Sequence, residues 1–167
     1  MLGEFASDVL GSQRVLPEVL TDEGFTRQQL SEFEFNGQQH RLVGTQTGIW
    51  RVKQYSPAAI SILTAYSPDD TKRPYDDSVG DDGMLRYKWR GSDPLFPDNV
   101  WLRTAMELQL PLVWFTGFGF VPGTKTQLFR PEFPVWLVAE EPPLQQFVVA
   151  VEATQRATPA EPNLEQA

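Results

Sequence analysis

The sequence predicts an α+β domain that is mainly β, a twisted and partly closed barrel of about seven short strands with two or three helices at its edge. Fourteen prolines and twelve glycines among 167 residues indicate many turns and short elements. The apolar segments are short and rich in β-branched or aromatic residues, as strands are. Helical spacing with a capping residue occurs only near Thr26 and after Asp98.

The first elements are predicted to be a short helix and a hairpin. Thr26 and Gln29 have the spacing of a capping box, so a helix of about one turn begins there. Asn36-Gly37 separates two strand-like runs, and this dipeptide favours a tight hairpin turn. The next two predicted strands are Gly48–Tyr55 and Ala59–Ala65.

A long polar loop and a two-faced strand form the middle of the chain. Residues 67–83 are dense in Asp, Pro and Gly, and long loops in compact domains tend to be functional. The strand that follows alternates its faces. One face carries Leu85, Tyr87 and Trp89, and the other carries Arg86, Lys88 and Arg90. The pattern suits a nucleotide-binding surface, and it is also typical of an edge strand with one core face and one solvated face.

One helix and three strands are predicted to complete the domain. Asp98 is expected to cap a helix from Asn99 to about Gln109. Leu112–Thr116 is predicted to be a buried strand, and Gly117–Gly123 a loop rich in glycine and aromatic residues. The last two predicted strands are Val135–Val138 and Phe147–Val151.

Composition predicts one domain with tails: a lead segment over residues 1–25, the domain over 26–151, and a disordered linker or tail over 152–167. The net charge of −8 argues against tight non-specific binding to nucleic acid. A local basic face stays compatible with this charge, because screening confines each surface charge to about 8–10 Å.

Several chemistries are excluded by residue content. The chain has no cysteine, which rules out disulfides, thiolate zinc sites and cysteine nucleophiles, and His40 is its only histidine. The aspartate pairs between residues 69 and 82 miss the spacing of a calcium loop. We therefore expect no catalytic residue, no metal and no cofactor. The apolar runs are too short to span a membrane and no secretory signal is evident, so a cytoplasmic protein is expected.

Five motifs occur in an order and spacing that resemble a known family. They are Tyr75-Asp76-Asp77, Tyr87-Lys88-Trp89-Arg90-Gly91-Ser92-Asp93-Pro94, Asp98-Asn99-x-x-Leu102-Arg103-x-Ala105, Leu110-Pro111-Leu112-Val113-Trp114-Phe115-x-Gly117 and Phe133-Pro134-Val135-Trp136-Leu137-Val138. The chain resembles the SRA-like (SET- and RING-associated) readers of modified bases, in the form found at the N-terminus of McrA-type HNH restriction endonucleases. With Gly48–Arg51 and Ala59–Leu63, the resemblance covers about 110–125 of 167 residues.

The resemblance implies a PUA-like barrel that flips 5-methylcytosine or 5-hydroxymethylcytosine out of duplex DNA into a pocket. Tyr75 would form one aromatic wall, and Trp89 or Tyr87 the other. Asp77 or Asp76 would accept a hydrogen bond from the cytosine amino group. Eukaryotic-type members place this aspartate three residues after the tyrosine, where this chain has Ser78, so the identity of the reading group stays open.

The resemblance also implies a DNA-backbone surface and a segment that fills the gap in the duplex. The expected phosphate contacts are Arg86, Lys88, Arg90, Arg103 and Lys125. The candidate insertion residues are Gly117, Phe118, Gly119 and Phe120, and a hydrophobic flap over the barrel end is an equal alternative.

The expected partners are double-stranded modified DNA and an HNH nuclease domain, linked or acting in trans. No HNH constellation follows Val151, so this chain alone is expected not to be an enzyme. A homodimer is left open, and no membrane partner is expected. Three alternatives remain: a reader of another mark such as phosphorothioate or a modified thymine, a protein-interaction domain that does not bind DNA, and a small metal-dependent hydrolase.

Overall fold

A computed structural model describes residues 24–35, 37–53, 56–68 and 80–157 of the chain. Within these ranges the protein is α+β and mainly β, as the sequence predicts. The helices are α1 (Arg27–Leu30), α2 (Pro97–Glu107) and α3 (Ala153–Ala157), with a 3-10 turn at Pro142–Leu144. The strands are β1 (Phe33–Phe35), β2 (Gln38–His40), β3 (Ile49–Trp50), β4 (Ser61–Thr64), β5 (Leu85–Lys88), β6 (Leu112–Phe120), β7 (Gln127–Glu141) and β8 (Gln146–Ala150).

Six strands form one curled sheet in the order β3-β4-β6-β7-β8-β5, and β1 and β2 form a separate antiparallel pair. The long strand β7 shapes this sheet, because it pairs with β6 through its first part and with β8 through its last part. Bulges near Leu112, Gly117 and Leu137 interrupt these ladders, and bulges bend a strand and increase its twist. The result is a half-barrel.

The two edges of the curled sheet approach each other through Tyr87. This residue lies on the edge strand β5, and its hydroxyl donates toward the carbonyls of Gly48 and Leu63, each 3.1 Å away. Gly48 immediately precedes β3 at the opposite edge, and Leu63 is on β4 beside it. The predicted partly closed barrel is therefore confirmed in its general form.

Both faces of the first part of the central strand β6, Leu112–Phe115, are buried. Leu112 and Trp114 point into a core formed with β5, β8 and α2, whereas Val113 and Phe115 point into a second core with α1 and Phe129. Alternate side chains of a strand face opposite ways, so a strand between two cores is apolar at successive positions. The helix α2 covers the first core with Leu102 and Ala105.

The local predictions near the N-terminus are confirmed. The Thr26 hydroxyl accepts from the Gln29 amide at 3.2 Å, and the Gln29 side chain accepts from the Thr26 amide at 2.9 Å, which completes the capping box of α1. Strands β1 and β2 pair around Gly37, as the hairpin signal predicted. Asn36 lies outside the described residues.

The start of α2 differs from the prediction. The helix begins at Pro97, its N-cap is Phe96, and no side chain caps it. Asp98 lies in the first turn and pairs instead with Arg90, whose Nη1 is 2.8 Å from Oδ2. A proline is well suited to the first turn of a helix, because an N–H at that position would have no helical partner. Asp98 therefore indicated the start of the helix to within two residues but is not its N-cap.

Several predicted boundaries also change. The strand β6 continues through Phe120, so most of the segment predicted as a glycine-rich loop is a hairpin arm paired with β7. Within the described part of the predicted strand Gly48–Tyr55, residues 48–53, the strand is limited to Ile49–Trp50. Val135–Val138 is only part of β7. Where a linker was predicted after Val151, α3 begins, and residues 158–167 lie outside the described part of the chain. No helix in the described ranges has the length and apolar character to cross a membrane.

Candidate functional site

Only two of the six residues predicted to form the base pocket belong to the described part of the chain. Tyr75, Asp76, Asp77 and Ser78 fall in the range 69–79, which lies outside the described residues. Their role in base recognition therefore stays a prediction. Tyr87 and Trp89, the candidates for the second aromatic wall, are described.

Tyr87 is a core residue. It is 1% exposed, and its ring meets the ring of Trp114 edge-to-face with 5.8 Å between centroids. Its hydroxyl is held by the two backbone carbonyls that join the sheet edges. A base stacks on a free ring face, and the burial of this side chain leaves none. This position corrects the expectation that Tyr87 walls the base pocket.

Trp89 also lies in the core. It is 7% exposed and belongs to the same apolar cluster as Tyr87 and Leu102. Its indole Nε1 is buried and finds no acceptor among the described residues. A buried donor without a partner costs free energy. The expectation that Trp89 forms the second wall is corrected as well, and β5 is the edge strand with one core face that the alternative interpretation described.

The basic row on the other face of β5 is compensated by protein groups. Arg86, whose side chain is 10% exposed, places Nε 2.8 Å from Glu141 Oε1 and Nη2 3.0 Å from Asp82 Oδ2. Lys88 Nζ donates to the Gln146 side chain at 2.6 Å. Arg90 pairs with Asp98, so two of the three cations of the row are neutralised by carboxylates, whereas Lys88 keeps its charge and contacts only neutral groups among the described residues. The predicted row of free cations is therefore not what the strand presents.

The Arg86 ion pairs shift the ionisation of their members. The hydrogen bond from Arg86 is the main reason that the pKa values of Asp82 and Glu141 lie below their usual range. The hydrogen bond with Asp82 is likewise the main reason that the pKa of Arg86 is raised. Each shift favours the charged form of its group.

A pH dependence of stability follows from these lowered carboxylate pKa values. A carboxylate whose pKa is lowered on folding stabilises the protein above its unfolded pKa, near 4, and loses this effect as pH falls through the folded pKa. We expect urea unfolding between pH 7 and pH 3 to show a steeper acid loss of stability for wild type than for Arg86→Met. Arg41→Met, at an exposed position, is the matched control and should follow wild type. Parallel curves for Arg86→Met and wild type would contradict the role of this network.

Arg103 joins α2 to β7. Its Nε lies 2.8 Å from Glu140 Oε1 and its Nη2 2.7 Å from Oε2, a bidentate pair that is mostly buried. It also donates to the Pro94 carbonyl at 3.1 Å. A phosphate contact by Arg103 would have to compete with Glu140. Among the five predicted phosphate contacts, Lys125 is the one with no ion pair or side-chain hydrogen bond to another described residue.

The predicted insertion residues lie on the β6 arm of the β6–β7 hairpin. Phe118 packs beneath Arg130, whose Cζ is 4.0 Å from the ring centroid. Phe120 is 37% exposed and meets Tyr66 edge-to-face at 5.4 Å. Gly117 lets the hairpin approach Tyr66, because a Cβ there would lie 2.5 Å from the Tyr66 nitrogen. The segment is therefore a braced hairpin, with Phe120 near its tip.

A pocket beside this hairpin was not predicted from the sequence. Its volume is about 270 Å³, and it is lined by Arg27, Ala65, Lys125, Thr126, Gln127 and Phe129. We call it the Arg27–Lys125 pocket. None of the described residues that line it is acidic. The two cations are 98 positions apart in the chain, so no local motif could have brought them together.

Contacts around the pocket fix its walls. The Gln127 side chain accepts from the Tyr66 amide at 2.8 Å and donates to the Tyr66 carbonyl at 3.3 Å, which joins the segment after β4 to the hairpin. Arg27 donates to the Gly44 carbonyl at 2.7 Å and lies over the Phe129 ring at 5.7 Å. Burial lowers the pKa of the Arg27 guanidinium.

Comparison with known proteins gave one short match. A family model described as a domain of unknown function, DUF1731, matches residues 1–27, of which only 24–27 belong to the described structure. Neither the curated proteins nor the solved structures contain a match to this chain. The chain's own residues therefore carry the functional hypothesis.

Proposed function

We propose that this domain binds duplex DNA carrying 5-methylcytosine or 5-hydroxymethylcytosine and acts as the recognition module of a modification-dependent HNH restriction endonuclease. The nuclease domain is linked to it or acts in trans. The motifs from Tyr75 to Val138 motivate the proposal, and the mainly β, half-barrel architecture is compatible with it.

The observation that carries the proposal is the Arg27–Lys125 pocket. Two cations line it beside the β6–β7 hairpin, with no acidic residue among the described residues lining it. The chain is acidic as a whole, so a DNA surface has to be local. Gln127, which lines the pocket, is the strand partner of Phe120 and accepts a hydrogen bond from the Tyr66 amide. Phe120 and Tyr66 therefore lie close to the pocket.

One proposed role differs from the expectation drawn from the sequence, namely the residue that forms the second aromatic wall of the base pocket. Tyr75 remains one wall, and Asp76, Asp77 or Ser78 remains the group that reads the cytosine edge. Because Tyr87 and Trp89 are buried in the core, the second wall is assigned to Phe120 or Tyr66. Stacking on two rings would help offset the cost of flipping, which is a few kcal/mol.

A panel of matched duplexes tests this function. It contains one site with plain cytosine, 5-methylcytosine, 5-hydroxymethylcytosine, a phosphorothioate linkage or a modified thymine. A preference for the modified cytosines is expected, with affinity that falls as salt rises. Equal affinity for every duplex would end the proposal of a modified-base reader, and preference for another duplex would reassign the mark.

Replacing Tyr75 tests the flipped base directly. Stacking contributes roughly 1–3 kcal/mol per base, so Tyr75→Ala is expected to weaken binding of the modified duplex by about 5- to 150-fold. Tyr75→Phe keeps the ring and should bind nearly as wild type. The plain duplex is the control, and 2-aminopurine fluorescence at the target position reports unstacking. An equal loss on both duplexes would contradict a role in base recognition.

One alternative function has an observation in its favour. Leu95, Leu108 and Leu144 are 76%, 50% and 58% exposed, so their side chains are available to a protein partner. Compensation of the basic row on β5 also suits a domain that does not bind DNA. This protein-interaction function would be favoured if no salt-dependent affinity for any duplex is found.

A further inference from the structure

The Arg27 guanidinium is partly buried without a described counter-charge. Arginine stays protonated in proteins, and burying a charge is costly unless it is paired. Its described contacts are the Gly44 carbonyl and the Phe129 ring, and both groups are neutral. They orient the side chain without neutralising it. A bound anion would supply the missing charge.

Lys125, which lines the pocket, lies within a hydrogen-bonded turn. The Val121 amide donates to the Thr126 carbonyl at 2.8 Å, and the Thr126 amide donates to the Thr124 hydroxyl at 3.1 Å. The Thr124 hydroxyl in turn donates to the Val121 carbonyl at 2.8 Å. The backbone that carries Lys125 is thus ordered before any ligand arrives, which reduces the ordering cost of binding.

We propose that the Arg27–Lys125 pocket binds a phosphate group, with the Arg27 fork and the Lys125 ammonium as its two charged donors. An arginine matches the geometry of a phosphate through paired N–H groups, and a lysine supplies a point charge. The cavity of about 270 Å³ lies below the usual range for ligand pockets, about 300–1,000 Å³, so it suits a phosphate with at most a small attached group.

The phosphate can come from a DNA backbone or from a free ion or mononucleotide. If DNA is the source, the inference rests on the proposed function and identifies one backbone contact of the reader. A free phosphate needs no support from that function. The two sources share the same chemistry at the pocket, and separate measurements distinguish them.

The first measurement is calorimetric titration with inorganic phosphate at constant ionic strength. Wild type is expected to bind, and Lys125→Gln to bind about tenfold or more weakly, because the charge-assisted hydrogen bond of the ammonium is lost and the neutral amide cannot replace it. Lys53→Gln removes a lysine that does not line the pocket and should bind as wild type. Arg27→Gln is a second variant whose fold is checked by circular dichroism, since Arg27 also holds Gly44.

The second measurement is the salt dependence of duplex binding. If a DNA phosphate occupies the pocket, Lys125→Gln should reduce the slope of log K against log salt by about one on plain and modified duplexes alike. An unchanged slope together with lost phosphate binding would assign the pocket to a free phosphate. Phosphate binding without any duplex binding would overturn the proposed function and keep this inference.

The result that overturns the inference is equally clear. If Lys125→Gln and correctly folded Arg27→Gln bind inorganic phosphate and duplex DNA as wild type does, the pocket is not a phosphate site, although the domain still binds DNA. Failure of wild type to bind phosphate, with an unchanged slope in the variants, would overturn it too. In that case a neutral occupant or a carboxylate of the chain would have to be sought.

Discussion

Replacing Trp89 by alanine is expected to lower the free energy of unfolding by about 3–5 kcal/mol, as large-to-small substitutions of buried aromatic residues do. The side chain is 7% exposed and packs in the same core as Tyr87 and Leu102. Truncation would remove apolar contacts and leave a cavity that the surrounding sheet and α2 can fill only in part. Urea unfolding at neutral pH measures the loss.

The same substitution decides between a core residue and a base wall. If Trp89 is a core residue, its replacement by alanine lowers the affinity for plain and modified duplexes equally, once the folded fraction is taken into account. A base wall would lower affinity for the modified duplex selectively and change stability little, which would contradict our assignment. Trp89→Phe is the matched control: it keeps an aromatic side chain and removes the Nε1 donor, which has no described acceptor, so its cost should be well below that of alanine.

Trp89 also shows what alternation along a strand can and cannot predict. A period of two separates Leu85, Tyr87 and Trp89 from the basic residues between them, and that separation is correct. The period does not tell which face meets the core and which meets a ligand. The choice depends on packing against α2 and on the opposite sheet edge, where Gly48 lies 39 positions from Tyr87 in the sequence.

Local signals were the most dependable predictors. The capping box at Thr26 and the turn at Gly37 depend on neighbours within a few residues, and both are confirmed. The extension of β6 through Gly117 was missed because glycines suggest a loop, whereas pairing with β7 overrides that local preference.

Charge partners were the least predictable feature. Arg86 and Glu141 are 55 positions apart, and only the fold brings them within 2.8 Å. A basic row in the sequence therefore predicted a phosphate surface, whereas the protein's own carboxylates pair with two of its three cations, Arg86 and Arg90. The Arg27–Lys125 pocket is the opposite case, a cationic site that the sequence did not predict. Neither the pocket nor the role of Arg27 can be recognised until α1 and the β6–β7 hairpin are placed together.

Replacing Asn99 by alanine is expected to lower the free energy of unfolding by about 3 kcal/mol, because it removes three hydrogen bonds that each contribute about 1 kcal/mol. Asn99 is fully buried. Its Nδ2 donates to the carbonyls of Arg90 and Asp93, each at 2.9 Å, and its Oδ1 accepts from the Arg90 amide at 2.8 Å. The Asn99 side chain thus supplies hydrogen-bond partners for backbone groups of Arg90 and Asp93, which lie outside any helix or strand.

The control for Asn99→Ala is Val100→Ala on the same helix, at an exposed position that should change stability by less than about 0.5 kcal/mol. Urea unfolding compares the two variants. If Asn99→Ala unfolds as Val100→Ala does, the segment holds its shape without Asn99. The conformation of Arg90-Gly91-Ser92-Asp93 would then not depend on the Asn99 hydrogen bonds, and a role in ligand binding would become the better explanation of this motif. If the expected loss is found, Asn99 and this motif form one structural unit, and a search for DNA contacts should turn from β5 to the hairpin and the Arg27–Lys125 pocket.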